Sequence, residues 1–197
     1  VGLFPGKRES RRFVGYTMLT QQDVIEQRSK YDTVAFGGWS IDLHPADGVF
    51  STLSNACNQW HSKGVYPIPY RCYLTKDIDN LFIGGRLISV SHVANGSTRV
   101  MATAAAGGEA IGLATEICLH HNMLPKDLMD ADKIKLLQRK LLRNGCYLPQ
   151  TDISLTDNKL LKAHLKASSE MKLSEIPFNG EWLSLDHSTA QMLPMKK

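Results

Sequence analysis

Asp79 to Gly112 reads DNLFIGGRLISVSHVANGSTRVMATAAAGGEAIG, and the fold turns on this stretch. Leu81-Phe82-Ile83 is a run of three apolar residues closed by Gly84-Gly85. Such a run predicts a short strand buried on both faces, as in a parallel sheet. A polar loop follows, and Ser97 or Thr98 can cap a long helix over roughly 99–121. The first half of that helix is almost all small: Ala102, Thr103, Ala104, Ala105, Ala106, Gly107, Gly108, Ala110 and Gly112. A glycine turn lets a ligand's chain approach backbone closely. A helix start offers unpaired N–H groups and a partial positive charge, which suit an anion or an oxygen that gains negative charge. The same pattern describes an ordinary βα unit, and these residues alone leave both readings open.

Upstream, residues 13–19 alternate as a strand would. Thr20-Gln21-Gln22-Asp23 predicts a helix start, with Thr20 as N-cap and an acid at N3, the helix running to about Lys30. Residues 33–36 predict a strand stopped by Gly37-Gly38. Residues 39–64 read as a loop holding Trp39, Asp42, His44, Pro45, Trp60 and His61, and a loop of that length is commonly functional. Pro67 and Pro69 exclude helix over 65–74, which is read as extended. Downstream, Asn122 with Pro125 beyond it stops the long helix. A turn of helix covers 126–129, and an amphipathic helix covers 132–143 with Ile134, Leu136, Leu137, Leu141 and Leu142 on its apolar face. Residues 147–163 read as linker, and 164–168, 182–185 and 190–193 as short extended pieces that begin a β-rich unit.

The chain has 197 residues, 43% hydrophobic and 21% charged, which is the composition of one soluble globular domain. The net charge of +4 is spread without a clustered stripe or a nucleic-acid motif, so nucleic acid is excluded as a partner. Cysteines 57, 72, 118 and 146 form no C-x-x-C pair and have no histidine at zinc-ligand spacing, so no metal is expected. No apolar run approaches the ~20 residues that span a bilayer. The first residue is Val1, not Met, so localisation stays open between the cytoplasm and a bacterial periplasm. No two glycines are separated by a single residue, so the G-x-G of a dinucleotide turn is missing. Gly107 to Gly112 imitates it inside a helix and is read as close packing.

Several blocks nevertheless occur in an informative order: RESRR at Arg8–Arg12, GGWSIDLHP at Gly37–Pro45, IPYR at Ile68–Arg71, and Asp79–Met101 ending in GSTRVM. In that order they resemble a bacterial FAD-dependent oxidoreductase family. The last block is also similar to the second FAD-binding segment of flavoproteins of the glutathione-reductase type. The likeness covers roughly residues 8–150, and Gly15-Tyr16-Thr17 departs from it where an acid is expected after the glycine. The resemblance implies an α/β chain. Its fold would be the C-terminal part of an FAD/NAD(P)-binding Rossmann-like fold with substrate-domain strands, followed by the start of a β-rich segment. Residues 1–78 would be a substrate-domain portion with the long loop. Residues 79–150 would be the second FAD-binding segment and C-terminal helices, and 151–197 a linker and the beginning of a β-sandwich-like appendage.

It further implies that Gly84, Gly85 and Arg86 pass the ribityl and pyrophosphate chain of FAD. Ser97, Thr98, Arg99, Val100 and Met101 would face the O2 and N1 edge of the isoalloxazine. A helix start and Arg99 there would stabilise the reduced flavin. His92 is the first candidate for a base that removes a substrate proton, with a structural role as the alternative. Arg71 and Arg99 could clamp a substrate carboxylate or hydroxyl, or hold flavin oxygens. His44 before Pro45 is read as structural. The implied function is hydride transfer from a small organic substrate to flavin, with a missing N-terminal FAD-binding half or a larger assembly as partner. The expectation is that the piece folds stably only beside that half. The competing reading is a truncated, non-catalytic module that binds a partner chain or a glycan through its tail.

Overall fold

The computed structural model describes residues 11–52 and 55–151, with a few isolated positions as far as Ser169. The chain divides into two units, Val1–Ser154 and Leu155–Lys197, and every described helix and strand belongs to the first. Apart from those isolated positions, the β-rich pieces expected from 164 onward lie outside the described residues, as do Arg8 to Ser10 of the RESRR block. Arg12, the last of that block, donates its Nε–H to the Val90 carbonyl at 2.9 Å.

The first helix, α1 (Gln21–Glu26), starts where Thr20 and Asp23 predict. The Thr20 hydroxyl accepts from the Asp23 amide, and the Asp23 carboxylate accepts from the Thr20 amide at 2.9 Å. The helix stops before Lys30, because Gln27 turns left-handed at φ 53°. Strand β1 (Thr33–Gly37) follows, and its antiparallel partner is β4 (Tyr66–Pro69), with Ala35 opposite Ile68. Between them, the expected loop contains a second antiparallel ribbon, β2 (Ile41–Leu43) with β3 (Asn58–Trp60). After Pro69 the chain is not extended as far as Leu74. It coils into a 3-10 turn over Tyr70–Tyr73.

Two expected strands reduce to single bridges. Residues 13–19 form no strand but two isolated bridges, Gly15–Thr75 and Leu19–Val90, beside a few backbone hydrogen bonds to the same stretches of chain. Leu81-Phe82-Ile83 makes one antiparallel bridge, Phe82 to Leu74, and Leu81 is 37% exposed. The reason is local. A 3-10 turn at Gly85–Leu87 redirects the chain at once, while β1 and β4 satisfy each other. A mixed α/β arrangement with two small antiparallel sheets therefore stands, among the described residues, where a parallel sheet is expected.

The long helix expected over 99–121 is present as a single helix, and the polar loop expected before it holds another, so two helices follow each other here. The first, α2 (His92–Thr98), is capped by Ser91, whose hydroxyl accepts from the Ala94 amide at 3.3 Å. Arg99 closes α2 with its amide on the Asn95 carbonyl, and Val100 is extended at φ −73°, ψ 150°. The second, α3 (Met101–His121), then starts afresh. Ser97 and Thr98 are accordingly the buried end of α2 and not caps of α3. Asn122 ends α3 in a left-handed conformation, as its residue type predicts. The amphipathic α4 (Ile134–Arg143) buries Ile134, Leu137 and Leu141 completely.

The core gathers Tyr66, Ile68, Tyr70 and Tyr73 with Leu128, Ile134, Leu137 and Leu141, from both sides of position 78. Its polar anchor is Asp32, which is fully buried. Arg71 donates to Asp32 through its backbone amide, Nε and Nη2 at 3.1, 2.9 and 3.2 Å. Gln138 of α4 donates its side-chain amide to the carbonyls of Tyr31 and Thr33 at 2.9 and 3.0 Å, which ties α4 to the start of β1.

Adjacent glycines in α3 separate two physical roles. A Cβ at Gly107 would lie 2.6 Å from the Tyr73 hydroxyl, whereas a Cβ at Gly108 would meet nothing within 4 Å. Gly107→Ala is expected to destabilise by about 1–3 kcal/mol through overpacking. Gly108→Ala is expected to stabilise by about 1 kcal/mol through helix propensity. Urea titration of the two variants checks the opposite signs.

Candidate functional site

The site is built where β2 lies against α2. A Cβ at Gly96 would come within 2.8 Å of the Asp42 carbonyl and 3.0 Å of Leu43 Cδ2, so only glycine permits this approach. Next to it, Ser97 joins two segments. Its hydroxyl lies 2.5 Å from the Trp39 carbonyl and 2.6 Å from the Tyr66 hydroxyl. A carbonyl can only accept, so Ser97 donates to Trp39 and Tyr66 donates to Ser97. Burial pushes the Tyr66 phenol well above the ordinary tyrosine range, although the Ser97 bond opposes the shift, and it remains a neutral donor. Gly37 completes the packing, since a Cβ there would collide with the Tyr66 hydroxyl.

This packing fixes the alternation of β2. Ile41 and Leu43 turn toward Ile25 and Val93, and Asp42 turns the other way, toward Arg99. The Arg99 guanidinium donates from Nη2 to the Asp42 carboxylate at 3.0 Å and to the Asp42 carbonyl at 3.2 Å. Both side chains are mostly buried. The other Asp42 oxygen, Oδ1, is buried without a hydrogen-bond partner. His44 lies beside it, with Nε2 3.9 Å away and Nδ1 3.1 Å from the Ala56 carbonyl.

An open cleft of about 340 Å3 is lined by Trp39, Asp42, Arg86, Arg99, Val100 and Met101. Of the expected site residues, the structure thus brings Arg86, Arg99, Val100 and Met101 together. Gly84 and Gly85 lead into it, and Gly85 has φ 61° with open space beside it. Ser97 and Thr98 lie buried behind the cleft. His92 is an exposed residue at the first position of α2, and α2 rises roughly 10 Å between it and Arg99. Arg71 is held by Asp32 and stacks on Tyr31 with its guanidinium carbon 4.9 Å from the ring centre. Neither His92 nor Arg71 lines the cleft.

The first turn of α3 opens on the same cleft. Thr20 caps α1 and Ser91 caps α2, but no side chain caps α3. Met101 is 89% exposed, and Ala102 is exposed beside it. A 21-residue helix thus presents uncapped amides and the positive end of its dipole beside two guanidinium groups.

A family model described as FAD dependent oxidoreductase matches residues 1–141. The chain belongs to the FAD-dependent oxidoreductase family. No curated protein and no solved structure matches it. The family implies FAD as cofactor, and the donor set fits a flavin. The pyrimidine edge of an isoalloxazine carries acceptors at O2 and O4 and one donor between them, N3–H. The cleft of this FAD-dependent oxidoreductase offers donors in the first α3 amides and Arg99, and one acceptor without a donor, Asp42 Oδ1. Asp42 lies inside the GGWSIDLHP block, which does not single it out. The signal that could have found it is the alternation in Ile41-Asp42-Leu43-His44, which sets one polar face in an apparent loop.

The Ser97 junction is expected to be coupled. Ser97→Ala leaves the Tyr66 hydroxyl and the Trp39 carbonyl without their partner at a cost of about 1–3 kcal/mol. Tyr66→Phe in the same background should recover part of that loss, and a double-mutant cycle in urea measures the coupling.

Proposed function

We propose that this chain forms the ring-facing wall of the flavin site in an oxidoreductase that accepts a hydride from a small organic substrate. The observation that carries the reading is the uncapped start of α3 beside Arg99, Arg86 and the unpartnered Asp42 Oδ1. The first amides of α3 and the Arg99 guanidinium hold positive potential at one place and favour an oxygen that gains negative charge there. Asp42 keeps Arg99 in position through its bonded oxygen and offers the other to an N–H donor. Gly84 to Arg86 gives a backbone path without side-chain bulk at Gly85, followed by a cation suited to phosphate. When bound, FAD supplies the two-electron acceptor. A G-x-G pyrophosphate turn is not encoded in these 197 residues, so the assignment concerns the ring and not the whole dinucleotide.

Lumiflavin, which has the ring and no pyrophosphate, isolates this wall. Quenching of its fluorescence by the 197-residue chain is expected to saturate. Asp42→Ala and Arg99→Ala should each weaken binding by about tenfold, the scale of one charge-assisted hydrogen bond. Asp42→Asn, which keeps an acceptor oxygen, should lose less. Equal binding by all four proteins would remove the cleft as the flavin-facing surface.

A further inference from the structure

A second concavity lies at the far end of α3, about 530 Å3 in volume, between its last two turns and α4. That volume is typical of small-molecule sites. The helix rises roughly 28 Å between Met101 and His120, so this groove is distinct from the flavin-facing cleft. Its charged lining is strongly one-sided. Arg139, Lys140 and Arg143 of α4 and His120 and His121 of α3 surround one acid, Glu116. Glu116 is already bonded to Lys140. Arg139 has no ion-pair partner among the described residues.

The cations cannot easily turn away. Ile134, Leu137 and Leu141 are fully buried on the opposite side of α4, and Gln138 is bonded to the carbonyls of Tyr31 and Thr33. The amphipathic helix is therefore fixed in rotation, with its basic face toward the groove. Two helix C-termini end nearby, which opposes an anion. Their carbonyls are partly satisfied, however: the Asn122 and Met123 amides bond Leu119 and Cys118, the Asn144 amide bonds Lys140 and Leu141, and the Gly145 amide bonds Leu142. A single exposed ion pair gains little in salt water, so a monovalent anion has little to gain here. An anion with several charges meets several basic groups of one helix face at once, and the guanidinium fork of Arg139 matches phosphate oxygens.

We propose that the α3–α4 groove binds a small molecule bearing a di- or triphosphate, independently of the flavin-facing cleft. Calorimetric titration of the full 197-residue chain with pyrophosphate and with ATP, at physiological salt, tests it. Both are expected to bind at least tenfold more tightly than inorganic phosphate. Arg139→Glu should weaken binding at least tenfold, and Arg139→Glu with Arg143→Glu should abolish it, with circular dichroism confirming that the helices persist. Lys135→Glu removes the same charge from α4 at a residue that pairs with Asp132 and does not line the groove, so it should leave binding unchanged. Equal weakening by Lys135→Glu would reduce the effect to net charge and overturn the proposal. So would the absence of tighter pyrophosphate binding, insensitivity to the arginine variants, or competition between lumiflavin and ATP for one site.

Discussion

The approach of β2 to α2 at Gly96 is the constraint on which the rest of the site depends. Backbone meets backbone there with no room for a methyl group. Because it does, Ser97 can reach the Trp39 carbonyl and the Tyr66 hydroxyl, and those bonds join the segment between the two ribbons to α2 and to β4. Asp42 is left facing Arg99 at 3.0 Å. Arg99 in turn stands at the junction where α2 ends and α3 begins. A contact between small residues therefore decides where a cation, a carboxylate and a helix start come together.

The two ends of α3 do different work on one scaffold. Its start is exposed, uncapped and set beside guanidinium groups. Its middle approaches Tyr73 so closely at Gly107 that a side chain has no place. Its end contributes two histidines to a basic groove whose other wall is α4. The core beneath, with Tyr66, Tyr70 and Tyr73 and the buried Asp32–Arg71 pair, holds the helix to the β1–β4 ribbon. Arg71 is held by Asp32, and of the two arginines it is Arg99 that lines the cleft.

Much of this was legible in the residues. The Thr20–Asp23 box, the stop at Asn122, the amphipathic α4 and the strand before Gly37 follow from local chemistry, and local chemistry dominates at caps and turns. The family was legible because several ordered blocks carry it. Leu81 to Ile83 misled because three apolar residues cannot distinguish a strand from a short stretch pinned by a single bridge. The ribbon in residues 39–64 stayed hidden because each of its strands is three residues long, too short for a pattern to declare itself. The break at Val100 stayed hidden because residues 92–98 read as a polar loop, which set the expected helix start at Ser97 or Thr98 and left α2 unseen. Beside the break Arg99 pairs with Asp42, a tertiary contact that no periodicity reports.

That break is a single extended residue in the midst of a helical run. Had Val100 adopted helical angles, the amides of Met101 to Thr103 would have been consumed by carbonyls one turn earlier, and the cleft would have been lined by the side of a rod. One rotated backbone unit converts inert mid-helix groups into unclaimed hydrogen-bond donors. Regularity is thus the hidden competitor of this site. A change that made the segment a better helix would silence it while leaving every side chain in the cleft intact.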